Sequence, residues 1–246
     1  MTILSKGSVV RMSQLLESFI KLLAQTSGKD KLAKILQYGA KLFGYIVLKR
    51  APKSEWVNIL KKLETTSGSA RKVWRLGNTL GEQQKIMALV KNGNPFAFLN
   101  ILALIRQSGM YFYWIFDHLM LSTNIGFTKL DTVKLGYYSS VSWFFGLLCS
   151  IIIDLNSLSN VLKKEKTLKS SLLNTNNSTS EENKSITDQY KEVLKKKDEI
   201  YLNCVKNGAD LLIASTLLKF SKFSQGTVGG AGIVSALIGG YQMWPK

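Results

Sequence analysis

The stretch DKLAKILQYGAKLFGYI, Asp30 to Ile46, sets the fold class. Its Leu32, Ile35, Leu36, Gly39, Leu42, Phe43 and Ile46 recur at spacings of three and four, which gathers them on one face of an α-helix. Lys31, Lys34, Tyr38, Lys41 and Tyr45 share a different face, a basic stripe with aromatic rings between its lysines, and Lys31, Lys34 and Lys41 are expected to meet lipid phosphates. Upstream, Met12, Leu15, Leu16, Phe19, Ile20, Leu22 and Leu23 repeat the pattern and predict a helix from about Ser13 to Gln25. Gly28 is its expected stop and Asp30 the N-cap of the next helix. Downstream, Ala51-Pro52 interrupts the pattern. Ser54 then caps a short helix with Trp56, Ile59, Leu60 and Leu63 inward, and Thr65-Thr66-Ser67-Gly68-Ser69 predicts a break.

A fourth helix is expected from about Ala70 to Lys91, with Ala70, Val73, Trp74, Gly77, Leu80, Gln84 and Met87 or Ala88 at helical spacing. Arg71, Lys72 and Arg75 crowd around Val73, Trp74 and Leu76 in its first turns, where the helix dipole is also positive. An anion would relieve that charge. Basic residues beside Trp and aliphatics are what a membrane interface binds: the apolar side enters the acyl boundary and the cations meet phosphates. Arg71, Lys72, Val73, Trp74, Arg75 and Leu76 are therefore the expected lipid-binding set, although the same stripe also suits a bundle core.

Across its 246 residues the chain carries 33 Lys and Arg, 16 Asp and Glu, a net charge of +17, 2 cysteines and a single histidine. The basic excess points to an anionic partner, and long apolar stretches beside it favour lipid over nucleic acid. Residues 1–95 form a basic region of amphipathic helices, with 17 Lys or Arg against 5 acids. Residues 96–155 are balanced, 3 against 3, and apolar; Phe96 to Phe127, interrupted by Arg106, Asp117 and His118, reads as a bundle helix or interfacial segment. The uncharged run 135–153 approaches the roughly 20 residues that a spanning helix needs. Residues 156–190 read as a flexible polar loop, because Lys163 to Lys166 is followed by a tract dense in Ser, Thr and Asn. Residues 191–246 hold a C-terminal helix and a second expected span, 223–244, which contains no charge. Gly232, Ala236 and Gly240 make a small-residue stripe there, suited to helix packing and oligomerisation, with Trp244 and Lys246 as an interfacial anchor. The fold class is thus all-α: a membrane-associated multi-helix bundle of amphipathic helices with one or two transmembrane helices.

Chemistry has little to work with. Two cysteines and one histidine exclude a disulfide framework and a multi-histidine metal centre, so no metal or other cofactor is implied. Asp117 and His118 point about 100 degrees apart on a helix, and no nucleophile accompanies them. Cys149 and Cys204 lie in apolar helical surroundings, as small hydrophobes do. Gly226 to Gly232 lacks the Gly-Lys-Ser/Thr ending of a phosphate loop. No nucleic-acid motif is visible and the uncharged tail has no place in such a protein. No secretory signal is predicted, and Thr2 excludes N-myristoylation. The chain is expected not to be an enzyme.

Several stretches resemble the peroxin-11 family of peroxisomal membrane proteins: Gly28 to Leu32, Ile35 to Leu42, Ser69 to Gly77, Tyr111 to Leu119, Lys206 to Asp210 and Gly232 to Tyr241, in that order. The loop from about Lys163 to Lys191 has no counterpart. The resemblance implies a multi-helix protein of the peroxisomal membrane that elongates the organelle by inserting an amphipathic helix, here the one opened by Ala70 to Leu76. It also implies self-association into a homo-oligomer and fission machinery of dynamin-like and adaptor type acting afterwards, with no nucleic acid partner. The alternative is a pore for small metabolites, in which Arg106, Asp117 and His118 line a path.

Overall fold

The computed structural model describes residues 6–92, 94, 97–173 and 180–245. Among these there are eight helices and no strand: α1 (Lys6–Ala24), α2 (Thr26–Arg50), α3 (Trp56–Trp74), α4 (Asn78–Asn92), α5 (Phe98–Asn124), α6 (Thr132–Leu173), α7 (Ser180–Leu217) and α8 (Gln225–Gln242). Helix α2 lies between α3 and α8; α8 packs on α7, α7 on α6 and α6 on α5, and α5 returns to α3. The six helices close a ring. Helix α1 leans only on α2, and α4 only on α5.

Close approaches fix the ring. A Cβ at Gly109 of α5 would lie 2.7 Å from the Ser142 carbonyl oxygen of α6, so these helices meet backbone to backbone. Along α8, Gly226, Gly229, Gly232 and Gly239 face Tyr45, Leu42, Tyr38 and Lys31 of α2 in turn, which makes the pair antiparallel. Two apolar clusters complete the interior. Tyr38, Ile213 and Val228 pack with Trp143 at one level, and Val161, Val193 and Ile200 join α6 to α7 at another.

Several expected boundaries are corrected. The run from Thr65 to Ser69 does not break the chain: α3 continues through it, because Thr65 returns its hydroxyl to the Lys61 and Lys62 carbonyls and Gly68 lets Gln37 of α2 come close. Small polar residues form a packing seam here. The break falls instead at Arg75 to Gly77, so Arg71 and Lys72 close α3 rather than open a helix. Their charge meets the negative end of the helix dipole, which is favourable. Trp56, Ile59 and Leu63, expected inward, are exposed. Asp30 is not an N-cap, since α2 begins at Thr26. Gly28 sits at the α1–α2 corner, where a Cβ would collide with the Leu22 carbonyl.

The polar loop 156–190 is also corrected. Helix α6 continues to Leu173 and α7 starts at Ser180, and residues 174–179 lie outside the described set. The hairpin is held by Val161 against Val193 and Ile200, and by Lys197 paired at 2.7 Å with Glu165. Thr167 and Ser171 donate their hydroxyls to carbonyls four residues back, which removes their competition with the helix backbone. Helix α6 is, among the described residues, the helix long and apolar enough to cross a membrane, and only 17% of its apolar window is buried. Helix α8, the other expected span, has 18 residues and lies against α2 and α7.

Candidate functional site: a buried charge network and an apolar exterior

Helix α2 lies the opposite way round from a helix of a soluble bundle. Its basic and aromatic stripe faces inward: Lys34 and Tyr38 are buried, whereas Leu32, Leu36 and Phe43 are exposed. The inward cations are matched by carboxylates. Lys34 Nζ, on a residue only 5% exposed, lies 2.7 Å from Asp210 Oδ1 and donates to the Ser235 hydroxyl at 2.6 Å, tying α2 to α7 and α8. Lys41 pairs with Glu64 of α3 at 2.6 Å and donates to Gln225 at 3.0 Å.

A second knot joins α2, α3 and α5. The Asp30 carboxylate accepts from Arg71 Nε at 3.0 Å, lies 3.1 Å from Arg75 Nε, and has Lys31 at 3.7 Å. Arg71 also donates to Gln37 at 2.7 Å. Arg75 reaches onward, donating to the Tyr113 hydroxyl at 2.8 Å, standing 3.4 Å from Asp117 Oδ2, and stacking over the Trp114 ring. Lys72 Nζ pairs with the other oxygen of Asp117. Asp117 itself is 3% exposed. His118 bridges the Arg75 carbonyl at 3.0 Å and the Thr79 hydroxyl at 3.1 Å, holding the α3–α4 corner onto α5.

Burial shapes these charges. It works against ionisation of Asp30, but Arg71, Arg75 and Lys31 outweigh it and hold the carboxyl below its usual range. Burial pushes the Lys34 ammonium down to about 8, with Asp210 opposing the shift. Burial also disfavours charge on Arg75, yet Tyr113, Asp117 and Asp30 prevail and bind its proton more firmly. The Tyr38 hydroxyl, buried, is pushed up to about 12.

The expected site residues divide on this geometry. Arg71, Lys72 and Arg75 have carboxylate partners inside the bundle, and so have Lys31, Lys34 and Lys41. Val73 and Leu76 are exposed at the α3–α4 corner, and Trp74 is half-buried. Gly232 and Ala236 pack within the chain, with Gly232 beneath the Tyr38 ring; Gly240 has open space where a Cβ would stand. Arg106 bonds to Gln107, Asp117 is tied to α3, and His118 holds the α3–α4 corner.

The exterior carries a feature that extends well beyond the expected set. On α1, Met12, Leu15, Leu16 and Ile20 are exposed, Leu16 at 59%, and continue one apolar face. A second exposed row runs from Val73 and Leu76 through Leu80, Met87 and Val90 of α4. Both were legible as periodicity; only the packing shows that, among the described residues, these apolar faces are left uncovered. Inside, α2, α3, α5 and α6 wall a cavity of about 690 Å³ that reaches Arg71, Lys72, Tyr113 and Trp143.

Residues 16–244 match the family of peroxisomal biogenesis factor 11 (PEX11). Among curated relatives, a peroxisomal membrane protein 11 homolog of Dictyostelium discoideum is 73% identical, over 95% of this chain and 96% of its own length. Peroxisomal membrane protein 11B of Arabidopsis thaliana is 31% identical over 94% of this chain and 97% of its own, and peroxisomal membrane protein 11A of Rattus norvegicus 28% over 91% and 94%. No solved structure matches the chain. Buried charges, an apolar exterior, a candidate membrane span and a family match along almost the whole chain agree, and the chain belongs to the peroxisomal biogenesis factor 11 family of peroxisomal membrane proteins.

Proposed function

We propose that this protein remodels and elongates the peroxisome membrane by inserting amphipathic helices into one leaflet, and that through self-association it promotes division and proliferation of the organelle. The observation that carries the reading is α1, a 19-residue helix that touches only α2 and leaves Leu15, Leu16 and Ile20 uncovered. Such a face enters the boundary between headgroups and acyl chains, expands that leaflet and favours curvature. The row from Val73 to Val90 extends the same surface, so Val73, Trp74 and Leu76 remain in the proposed wedge. Arg71 and Arg75 serve it indirectly, by fixing the corner on which it stands. Anionic phospholipid is the proposed surface. Self-association uses exterior faces, since Gly232 and Ala236 are occupied within the chain. Dynamin-like and adaptor proteins are the proposed partners in the division that follows.

Imaging of peroxisomes in cells overproducing the tagged protein tests the mechanism. Wild type is expected to give elongated or more numerous organelles. A Leu16→Glu, Ile20→Glu variant that still reaches the peroxisome should leave their shape ordinary. Elongation by that variant would remove α1 from the mechanism.

A further inference from the structure

The charge knot around the cavity is not neutral. Lys34, Arg71, Lys72, Arg75 and Lys219 line the cavity, against Asp117 and Glu64; the buried Lys34, Arg71 and Arg75 are matched by Asp210, Asp30 and Asp117, and the surplus rests on the half-buried Lys72 and the exposed Lys219. Glu64, which also lines the cavity, is already paired with Lys41. A surplus of positive charge along a cavity wall attracts an anion. An anion in the cavity would offset it, and the donors exist: each guanidinium carries five N–H groups and each ammonium three, more than the bonds described above use.

A second observation lies at the cavity edge. Helices α5 and α7 end in the same way, with a residue in the left-handed region and a bond from the next N–H back five residues, Phe127 to Ser122 and Phe220 to Ser215. In α5 the left-handed residue is Gly126, φ +91°, as steric freedom demands. In α7 it is Lys219, φ +61°. A lysine pays strain at that position, and this one lines the cavity and has no ion pair among the described residues. Strain of this kind persists where the side chain is needed.

The place of the opening indicates the source of the anion. Of the lining residues that reach the surface, Thr65 and Ser69 belong to α3, and Val133, Tyr137, Leu217 and Lys219 gather at the start of α6 and the end of α7. Val133 and Lys219 stand beside the charged end of the uncharged run 135–153, the depth at which phosphates lie if that run occupies the acyl layer. The opposite wall is aromatic, with Tyr38, Tyr113 and Trp143. A volume of about 690 Å³ suits a small amphipathic ligand.

We propose that this cavity binds a phosphate-bearing anion, the headgroup of a single membrane phospholipid, with Lys219 at its entrance and Arg71, Lys72 and Arg75 behind. The site is separate from the wedge surface of α1. Calorimetric titration of the full chain in uncharged detergent tests it, with dihexanoyl phosphatidylglycerol and inorganic phosphate as probes. Saturable binding of the lipid is expected, weakened about tenfold or more by Lys219→Gly, since hydrogen bonds to charged groups contribute at least that much. That variant should unfold no more readily than wild type, because glycine relieves the backbone. Gly136→Leu places a side chain in the cavity, where a Cβ meets only Met120 at 3.8 Å, and should abolish binding. Inorganic phosphate binding with the same dependence on both variants would support the site and make free phosphate its source. Absence of binding by either probe, or binding indifferent to both variants, would overturn the proposal, whatever the outcome for α1.

Discussion

Asp30 shows how one residue can hold three helices, because its carboxylate is shared by Arg71 of α3 and Arg75 at the end of α3, and Arg75 is fastened in turn to α5. Its removal takes the carboxylate from Arg71 and one of two carboxylates from Arg75, both buried. Asp30→Asn is expected to destabilise the bundle by about 3–5 kcal/mol, read by denaturant unfolding in detergent. The pH dependence has a definite sign. The carboxyl is held below its ordinary 3.8, so its contribution is complete above that value and is lost as pH falls through the lower folded value. The gap between wild type and Asp30→Asn should therefore close below about pH 4. Lys34 acts in the opposite sense: burial brings it to about 8, below its ordinary 10.5, so it makes folding more favourable as pH rises between those values. The replacement pair Lys34→Met, Asp210→Leu should remove that slope. In the sequence Asp30 reads as a helix cap, since nothing local indicates that residues 41 and 45 positions away will supply its partners.

At the scale of elements, the α2–α8 pair has its geometry written in glycines, but only some of them carry it. A Cβ at Gly229 would stand 2.8 Å from the Leu42 backbone nitrogen, which no rotamer change relieves, whereas Gly230 has open space. Gly229→Ala is expected to cost about 1–3 kcal/mol through displacement of α2. Gly230→Ala should be neutral or stabilise by up to about 1 kcal/mol through helix propensity. Thermal unfolding of the two variants side by side checks both. The small-residue character of this helix is plain in the sequence, and of the expected stripe Gly232, Ala236 and Gly240 the first two pack within the chain while Gly240 has open space. Its partner is not plain, since a close-packing face reads the same whether the neighbour is α2 or another copy. The α6–α7 hairpin was obscured for a related reason: Ser, Thr and Asn lower helix propensity locally, while the seven-residue recurrence of Val161 with Leu168 and of Val193 with Ile200 takes effect only once the two segments pair.

The molecule keeps a knot of five charged residues, Asp30, Lys34, Arg71, Arg75 and Asp117, inside and leaves apolar rows on α1, α4 and α6 outside, an arrangement that suits lipid. Helix α6 carries the clearest consequence, with Phe145 and Ile152 exposed along a helix long enough to span. Phe145→Lys with Ile152→Lys should cost about 2.5–3.5 kcal/mol for the lysine at position 145, at the middle of the run 135–153, and less for the one near its end. The variant should leave carbonate-washed membranes while wild type stays; retention of both would show that α6 does not enter the acyl layer. The sequence by itself determined that the chain is helical, basic and membrane-bound, because periodicity, net charge and the length of an uncharged run are properties of the chain alone. It also placed the family, through short matches in order. Only the tertiary structure decided which face of each helix is inward. Periodicity defines two faces without saying which solvent each will meet, and here carboxylates distant in the chain draw the basic faces together and leave the apolar ones for the bilayer.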